Sequence, residues 1–162
     1  MPKEPDENGW LSSAATWIER MNGPGDFARQ HVLDDIMLDL TLAADPHTAL
    51  DVGCGEGRFC RFLAQHGISV TGLDPVPLMI EAAQAQDAAG TYVTCFAEDM
   101  PFRNASFDAV VSYLSLIDID DAEAAIAEMA RVTAPGGRII VGHINGFASS
   151  SAMEGRKPCA ET

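Results

Sequence analysis

An apolar run, Ala49-Leu50-Asp51-Val52, stops at three alternating glycines, Gly53, Gly55 and Gly57, and a helical pattern opens at Arg58-Phe59. A strand that breaks at glycines and re-enters as a helix presents backbone N–H groups at a helix N-terminus, and few architectures do that. The spacing is G-x-G-x-G. A dinucleotide fingerprint, G-x-G-x-x-G, needs its third glycine at position 58, where this chain has Arg58. A second strand pattern, Val70-Thr71-Gly72-Leu73-Asp74, follows and ends in a carboxylate. An acid at the tip of a second parallel strand is placed to accept hydrogen bonds from ribose hydroxyls. Loop and acid together point to an adenosine-type ligand without a pyrophosphate.

The remaining pattern extends this unit in both directions. Upstream, Ser12 or Ser13 caps a short helix with Ala14, Trp17, Ile18 and Met21 on one face, and Asn22-Gly23-Pro24-Gly25 breaks it. Asp26 caps a second helix, which Pro46 closes. Strands are expected at Thr48–Val52, Ser69–Leu73, Tyr92–Phe96, Phe107–Tyr113 and Arg138–His143. Helices fill the gaps. One follows the glycine loop to about His66-Gly67. One opens at Pro75 and Pro77 and runs to about Ala89. One starts at Asp120 or Asp121 with Ala122, Ala125, Ile126, Met129 and Ala130 at core spacing. Pro135-Gly136-Gly137 reads as a tight turn into the last strand. Alternating strands and helices specify an α/β fold with a doubly wound, mostly parallel sheet. The expected organisation is a flexible tail at 1–9, one domain at 10–145 (helices at 10–46, sheet core at 47–145) and an irregular tail at 146–162.

Charge and composition exclude several classes of function. The net charge of −14 argues against nucleic acid and against an anionic membrane surface, both of which need a basic footprint. No apolar run reaches membrane-spanning length, and the polar N-terminus lacks the apolar stretch of a signal peptide, so a cytoplasmic protein is expected. The four cysteines, Cys54, Cys60, Cys95 and Cys159, form no C-x-x-C pair, and no metal site is expected. They read as small buried residues in a reducing compartment.

Five motifs in order, LDVGCGEGRF, GLDP, AEDMPF, FDAVVSYLSLIDI and APGGRIIV, resemble those of the class I S-adenosylmethionine-dependent methyltransferases. Within that family the chain is most similar to the small-molecule type that includes the ubiquinone and menaquinone biosynthesis enzymes. The resemblance runs from Ala49 to about Asn145 and implies a Rossmann-like methyltransferase fold with strand order 3-2-1-4-5. The family's usual strands 6 and 7 are missing from the pattern after Gly146, so the chain reads as truncated after the fifth strand.

The resemblance also implies S-adenosyl-L-methionine as cofactor and a set of site residues. The upstream helices would lie over the cofactor cleft, with Arg29 on the methionine carboxylate. Gly53, Cys54 and Gly55 form the loop that lets the ligand approach the backbone. Asp51 holds that loop or meets the ligand's ammonium, and Asp74 with Pro75 stands at the ribose. Met79 would cover one face of the adenine. Related sequences carry Asp or Asn where this chain has Phe96. Adenine recognition therefore falls to Glu98, to Asp99, or to backbone groups at Ala97 and Glu98. Ser112 and Tyr113 end the fourth strand at the same site. Methyl transfer from a sulfonium needs alignment more than proton transfer. Tyr113, Ser115 and His143 stand nearest the expected methyl position, and no catalytic base is assigned.

The sequence thus predicts methyl transfer to a small-molecule acceptor. A non-catalytic cofactor-binding module or an inactive fragment is the alternative, and a nicotinamide-dependent oxidoreductase is disfavoured by Arg58. The last strand, Arg138–His143, reads as apolar enough to be buried on both faces. With no strand beyond it, self-association through its open edge is expected.

Overall fold

The structure, a computed structural model, describes residues 9–22 and 26–143. The expected tails at 1–9 and 146–162 lie outside the described residues except for Gly9. In chain order the elements are α1 (Trp10–Asn22), a π turn (Arg29–Leu33), α2 (Asp34–Leu42), β1 (Thr48–Val52) and α3 (Arg58–Gln65). Then come β2 (Ser69–Asp74), α4 (Pro77–Gln86), β3 (Thr91–Thr94), β4 (Phe107–Tyr113), a 3-10 turn (Leu116–Asp118), α5 (Ala122–Val132) and β5 (Thr133–Gly142).

The five strands form one sheet in the order β3-β2-β1-β4-β5, and all four pairings are parallel. Central strands buried on both faces explain why β1 and β4 read as continuous apolar runs. Alternate residues of β1 serve opposite faces. Leu50 and Val52 pack with Val110 and with Ala125, Met129 and Val132 of α5. Ala49 packs on the other side with Val111, Phe59 and Leu63 of α3 and Met37 of α2. Helix α4 joins that second face, its Ile80 and Ala83 meeting Cys54, Cys60 and Tyr92. Right-handed crossovers place α3 and α4 on one face as the chain winds toward β3. They place α5 on the other as it winds toward β5. Helix α1 lies outside this layer, with buried Ala14 against Val76 and Met79.

Local chemistry sets most element ends. Pro77 occupies the first turn of α4. The Asp121 carboxylate caps α5 by accepting from the Ala124 N–H at 3.0 Å. The Asp26 carboxylate accepts from the Arg29 N–H at 3.1 Å, as expected of a cap.

Several expectations are corrected. Ser12 and Ser13 sit inside α1 and donate their hydroxyls back to the Gly9 carbonyl, so neither is its cap. The second helix is not uniform, since a π turn precedes its α-helical part. Helix α4 ends at Gln86 rather than Ala89, because the Asp87 carboxylate turns back to accept from the Gly90 N–H. β3 ends at Thr94, which leaves Cys95 and Phe96 beyond the strand. Ile126 is 48% exposed and Ala130 is exposed, because α5 presents Ala125, Met129 and Val132 to the sheet. Pro135-Gly136-Gly137 is no turn before β5. It is an irregularity within the strand, between the pairs Phe107↔Thr133 and Ala109↔Arg138. Gly136 takes φ +83°, and a Cβ on Gly137 would lie 2.6 Å from the Asp108 carbonyl, so this bulge requires its glycines.

Candidate functional site

A cleft of about 630 Å3, counting space open to solvent, lies at the carboxyl ends of β1, β2 and β4. The position is the switch point where the sheet reverses its winding direction. Gly53 and Gly55 form its floor with Cys54 and Glu56. Gly53 has φ +73°, and a Cβ there would fall 2.4 Å from the Ser115 Cβ, so this position admits glycine alone. Ser115 is fixed from below, its hydroxyl donating to the Val52 carbonyl and accepting from Ser112 at 2.8 Å.

Asp74 ends β2 at the cleft wall. Its Oδ2 accepts from the Gly55 N–H at 3.0 Å and its Oδ1 from the Val76 N–H at 2.9 Å. Burial raises this carboxyl and those two backbone bonds offset part of the rise, leaving it at about 6. Asp74 therefore also ties the glycine loop to the start of α4. Pro75, Val76 and Met79 continue the same wall.

The opposite wall comes from β4 and from the segments ahead of β1. Tyr113 donates its hydroxyl to Asp34 at 2.9 Å. Arg58 makes two bonds to the same carboxylate, its Nη1 at 2.9 Å and its Nη2 at a closer contact. The residue that stands where a dinucleotide site needs glycine thus bridges α3 to α2. Burial and the Asp34 partner hold the Tyr113 phenol well above its ordinary value, so it stays protonated. Leu114 follows at φ +62°, an uncommon conformation for a residue with a side chain. Arg29 enters between two aromatic rings, its guanidinium carbon 5.3 Å from the Trp17 centroid and 5.1 Å from that of Tyr113. Trp10 stacks edge-on against Trp17 at 5.4 Å and bonds to Asp118, whose carboxyl burial raises.

Of the expected site residues, Arg29, Gly53, Cys54, Gly55, Asp74, Pro75, Met79 and Tyr113 line this cleft, as does Ser115. Asp51 lies behind the floor, 1% exposed, with Oδ2 accepting from the Cys60 thiol at 3.4 Å. Ser112 is fully buried beneath Ser115. Ala97, Glu98 and Asp99 stand on the loop after β3 and do not line it. His143 is exposed just past β5, away from the cleft wall. Sequence reading did not place Trp10, Trp17, Glu56 and Asp118 at the site. Trp10 and Trp17 are seven residues apart on α1, a spacing that marks one helix face and not what that face meets.

Three buried side-chain polar atoms lack a hydrogen-bond partner among the described residues: Arg29 Nε, Asp51 Oδ1 and Glu56 Oε1. Arg29 and Glu56 line the cleft and Asp51 lies behind its floor, and a buried polar atom without a hydrogen bond is costly wherever it occurs. Glu56 has Arg61 at 3.7 Å, an ion pair without a hydrogen bond. A guanidinium nitrogen and carboxylate oxygens without a hydrogen bond fit a ligand bearing both an anionic and a cationic group.

The sequence model of the family described as "Methyltransferase domain" matches residues 50–141. The chain belongs to that family. Its members use S-adenosyl-L-methionine. Among curated relatives, the O-methyltransferase resE of Aspergillus sclerotiorum is 34% identical over 123 residues, covering 72% of this chain and 46% of the relative. The demethylmenaquinone methyltransferase of Tropheryma whipplei (strain Twist) is 35% identical over 94 residues, covering 57% and 39%. The chain thus spans less than half the length of these two relatives. Among solved structures, the PH0226 protein of Pyrococcus horikoshii OT3 superposes with a TM-score of 0.72 at 21% identity, covering 86% of this chain and 63% of that one. That likeness concerns the fold alone. Among the described residues, no helix of this methyltransferase-family chain is long and apolar enough to cross a membrane, and no group of three or more His, Cys, Asp or Glu side chains is placed to hold a metal ion.

Proposed function

We propose that the cleft binds S-adenosyl-L-methionine and presents its methyl group to a small-molecule acceptor, within a single domain spanning residues 10–145. The observation that carries this reading is the set of buried atoms without a hydrogen bond in the cleft wall and directly behind its floor, Arg29 Nε, Glu56 Oε1 and Asp51 Oδ1. The methionine end of the cofactor has a carboxylate and an ammonium to match them. In this reading Arg29 takes the carboxylate, and Asp51 and Glu56 favour the ammonium through the loop Gly53-Cys54-Gly55. Asp74 accepts from the ribose hydroxyls. Pro75 and Met79 bound the adenine, with Ala97, Glu98 and Asp99 at its edge. Ser112 and Ser115 set the loop from below.

The bound cofactor supplies an already activated methyl group. The residues around it align the acceptor and exclude water. Burial and Asp34 keep the Tyr113 phenol protonated, so it does not act as base. Asp118 is a carboxylate on the cleft wall and takes that role where the acceptor loses a proton. The name of the resE relative supports an oxygen acceptor. The three described cysteines are free, and two are buried, which supports a reducing, cytoplasmic setting. Because the chain spans less than half of its relatives, cofactor binding without turnover is the second reading.

Thermal melting tests the binding step. S-adenosylmethionine or its demethylated product at about 100 times its dissociation constant should stabilise the fold by about 2.7 kcal/mol and raise the melting temperature. NADH should leave it unchanged. A shift with NADH and none with the sulfonium cofactor would overturn the proposal. Product formation with hydroxyl acceptors then separates transfer from binding alone.

A further inference from the structure

The helical segment ahead of β1 has a second face that the cleft does not use. Asp34, Met37 and Thr41 are the buried residues of α2, so they mark the side packed on the sheet. The other side carries Phe27, Val32, Ile36 and Leu40, which are 74%, 56%, 53% and 49% exposed. None of the four lines the cleft. Val32, Ile36 and Leu40 stand four apart, which aligns them as one ridge along the helix. The five-residue closure of the π turn, from the Asp34 N–H to the Arg29 carbonyl, brings Phe27 nearer to that ridge than regular α register would. Single exposed apolar side chains are ordinary, but four in one row with a polar rim mark an interaction surface.

The charge beside the ridge is of one sign. Asp35 and Asp39 are exposed, and each directly precedes a ridge residue, so they form a parallel acidic row. Between Asp26 and Asp45 the sequence has one Lys or Arg, Arg29, and it is turned into the cleft between Trp17 and Tyr113. A second copy of the chain would bring the same acidic row and a net charge of −14 against this face, and an anionic bilayer would be repelled as well. A ridge of four-residue spacing packs into the matching groove of another helix. The face therefore fits a helix with an apolar stripe of its own and Lys or Arg along one flank.

We propose that Phe27, Val32, Ile36 and Leu40, with Asp35 and Asp39, form a docking surface for a basic amphipathic helix of a partner protein. The surface is separate from the cofactor cleft, and docking there needs no ligand in the cleft.

A fluorescent peptide with Leu and Lys in an amphipathic helical pattern serves as probe, and the same pattern with Glu in place of Lys as its control. Anisotropy titrations of the full chain should show saturable binding of the Leu/Lys peptide that weakens as salt rises. The Leu/Glu peptide should bind about tenfold more weakly or less. Ile36→Gln/Leu40→Gln should weaken the Leu/Lys peptide by about tenfold or more and keep the melting temperature of the chain, because both side chains are exposed. Asp35→Lys/Asp39→Lys should reverse the preference toward the Leu/Glu peptide. In the wild type the Leu/Lys peptide should slow amide exchange across residues 27–40, a readout that needs no variant. Absence of binding, equal binding by Ile36→Gln/Leu40→Gln, an unreversed preference or protection elsewhere would overturn the proposal. So would self-association, or attachment to vesicles of phosphatidylcholine and phosphatidylglycerol, that Ile36→Gln/Leu40→Gln abolishes, since a second copy or a bilayer would then be the occupant.

Discussion

Asp51 shows how a single side chain can be placed against its own preference. The strand alternation that sends Leu50 and Val52 to the α5 side sends Asp51 to the other, where it is 1% exposed. Burial raises its carboxyl, the Cys60 thiol and Arg29 offset part of the rise, and Asp74 and Glu56 add to it, leaving it at about 7. A carboxyl whose native pKa exceeds its unfolded value binds its proton more tightly when folded. Its contribution is therefore complete below about pH 4 and is lost as the pH rises through about 7. Asp51→Asn removes that loss. The ligand-free variant should be more stable than the wild type at about pH 8 and no more stable at about pH 4, with a flatter profile between. Binding of the zwitterionic cofactor should weaken in the same variant. Melting curves across this range check the first point, and parallel profiles for the two proteins would sink it.

At the scale of elements, α5 holds the loop that follows β3. Arg131 donates to the carbonyls of Phe102 at 2.7 Å and Met100 at 3.0 Å, and to the Asn104 side chain at 2.9 Å. Its neighbour Glu128 accepts from the Met100 N–H at 2.9 Å and from Arg131 itself. Arg131→Ala should speed amide exchange across residues 97–104 and lower the melting temperature, with β1 amides exchanging only through global opening. Unchanged protection of that loop would show that other contacts fix it. This clamp was not legible in the sequence, since side chains and carbonyls about thirty residues apart leave no periodic trace. What was legible had local causes. β4 was read as Phe107–Tyr113 and has those bounds, because a strand buried on both faces is a plain apolar run. A helix start at Asp120 or Asp121, the cap being Asp121, and Pro77 in a first turn were likewise legible. The cleft loop was legible because Gly53 and its neighbours have no substitute. The π turn was not, since helical periodicity assumes about 100° at every step. Nor was the β5 bulge, because Pro135-Gly136-Gly137 has the composition of a turn whether or not the strand resumes.

At the scale of the whole molecule, the sheet ends in two unlike edges. β3 is short, and α4 packs beside it, whereas β5 is ten residues long and, among the described residues, hydrogen-bonds only to β4. The expectation of burial on both faces of β5 holds for one. Ile140 is 7% exposed against the α2 and α3 side, but Ile139 and Val141 are 41% and 43% exposed on the other. We expect two copies of the chain to pair through this edge, because unpaired backbone groups flanked by exposed β-branched side chains favour strand addition. The net charge of −14 opposes it, since copies repel one another. Salt screens that repulsion over about 10 Å at 0.1 M, so association should rise with ionic strength rather than fall. Light scattering at several protein and salt concentrations measures this. Ile139→Lys or Val141→Lys should hold the chain monomeric with its fold intact. Ile140→Lys should instead unfold it, because that side chain is in the core. A wild type that stays monomeric at high protein and high salt would mean that the β5 edge is covered within one copy.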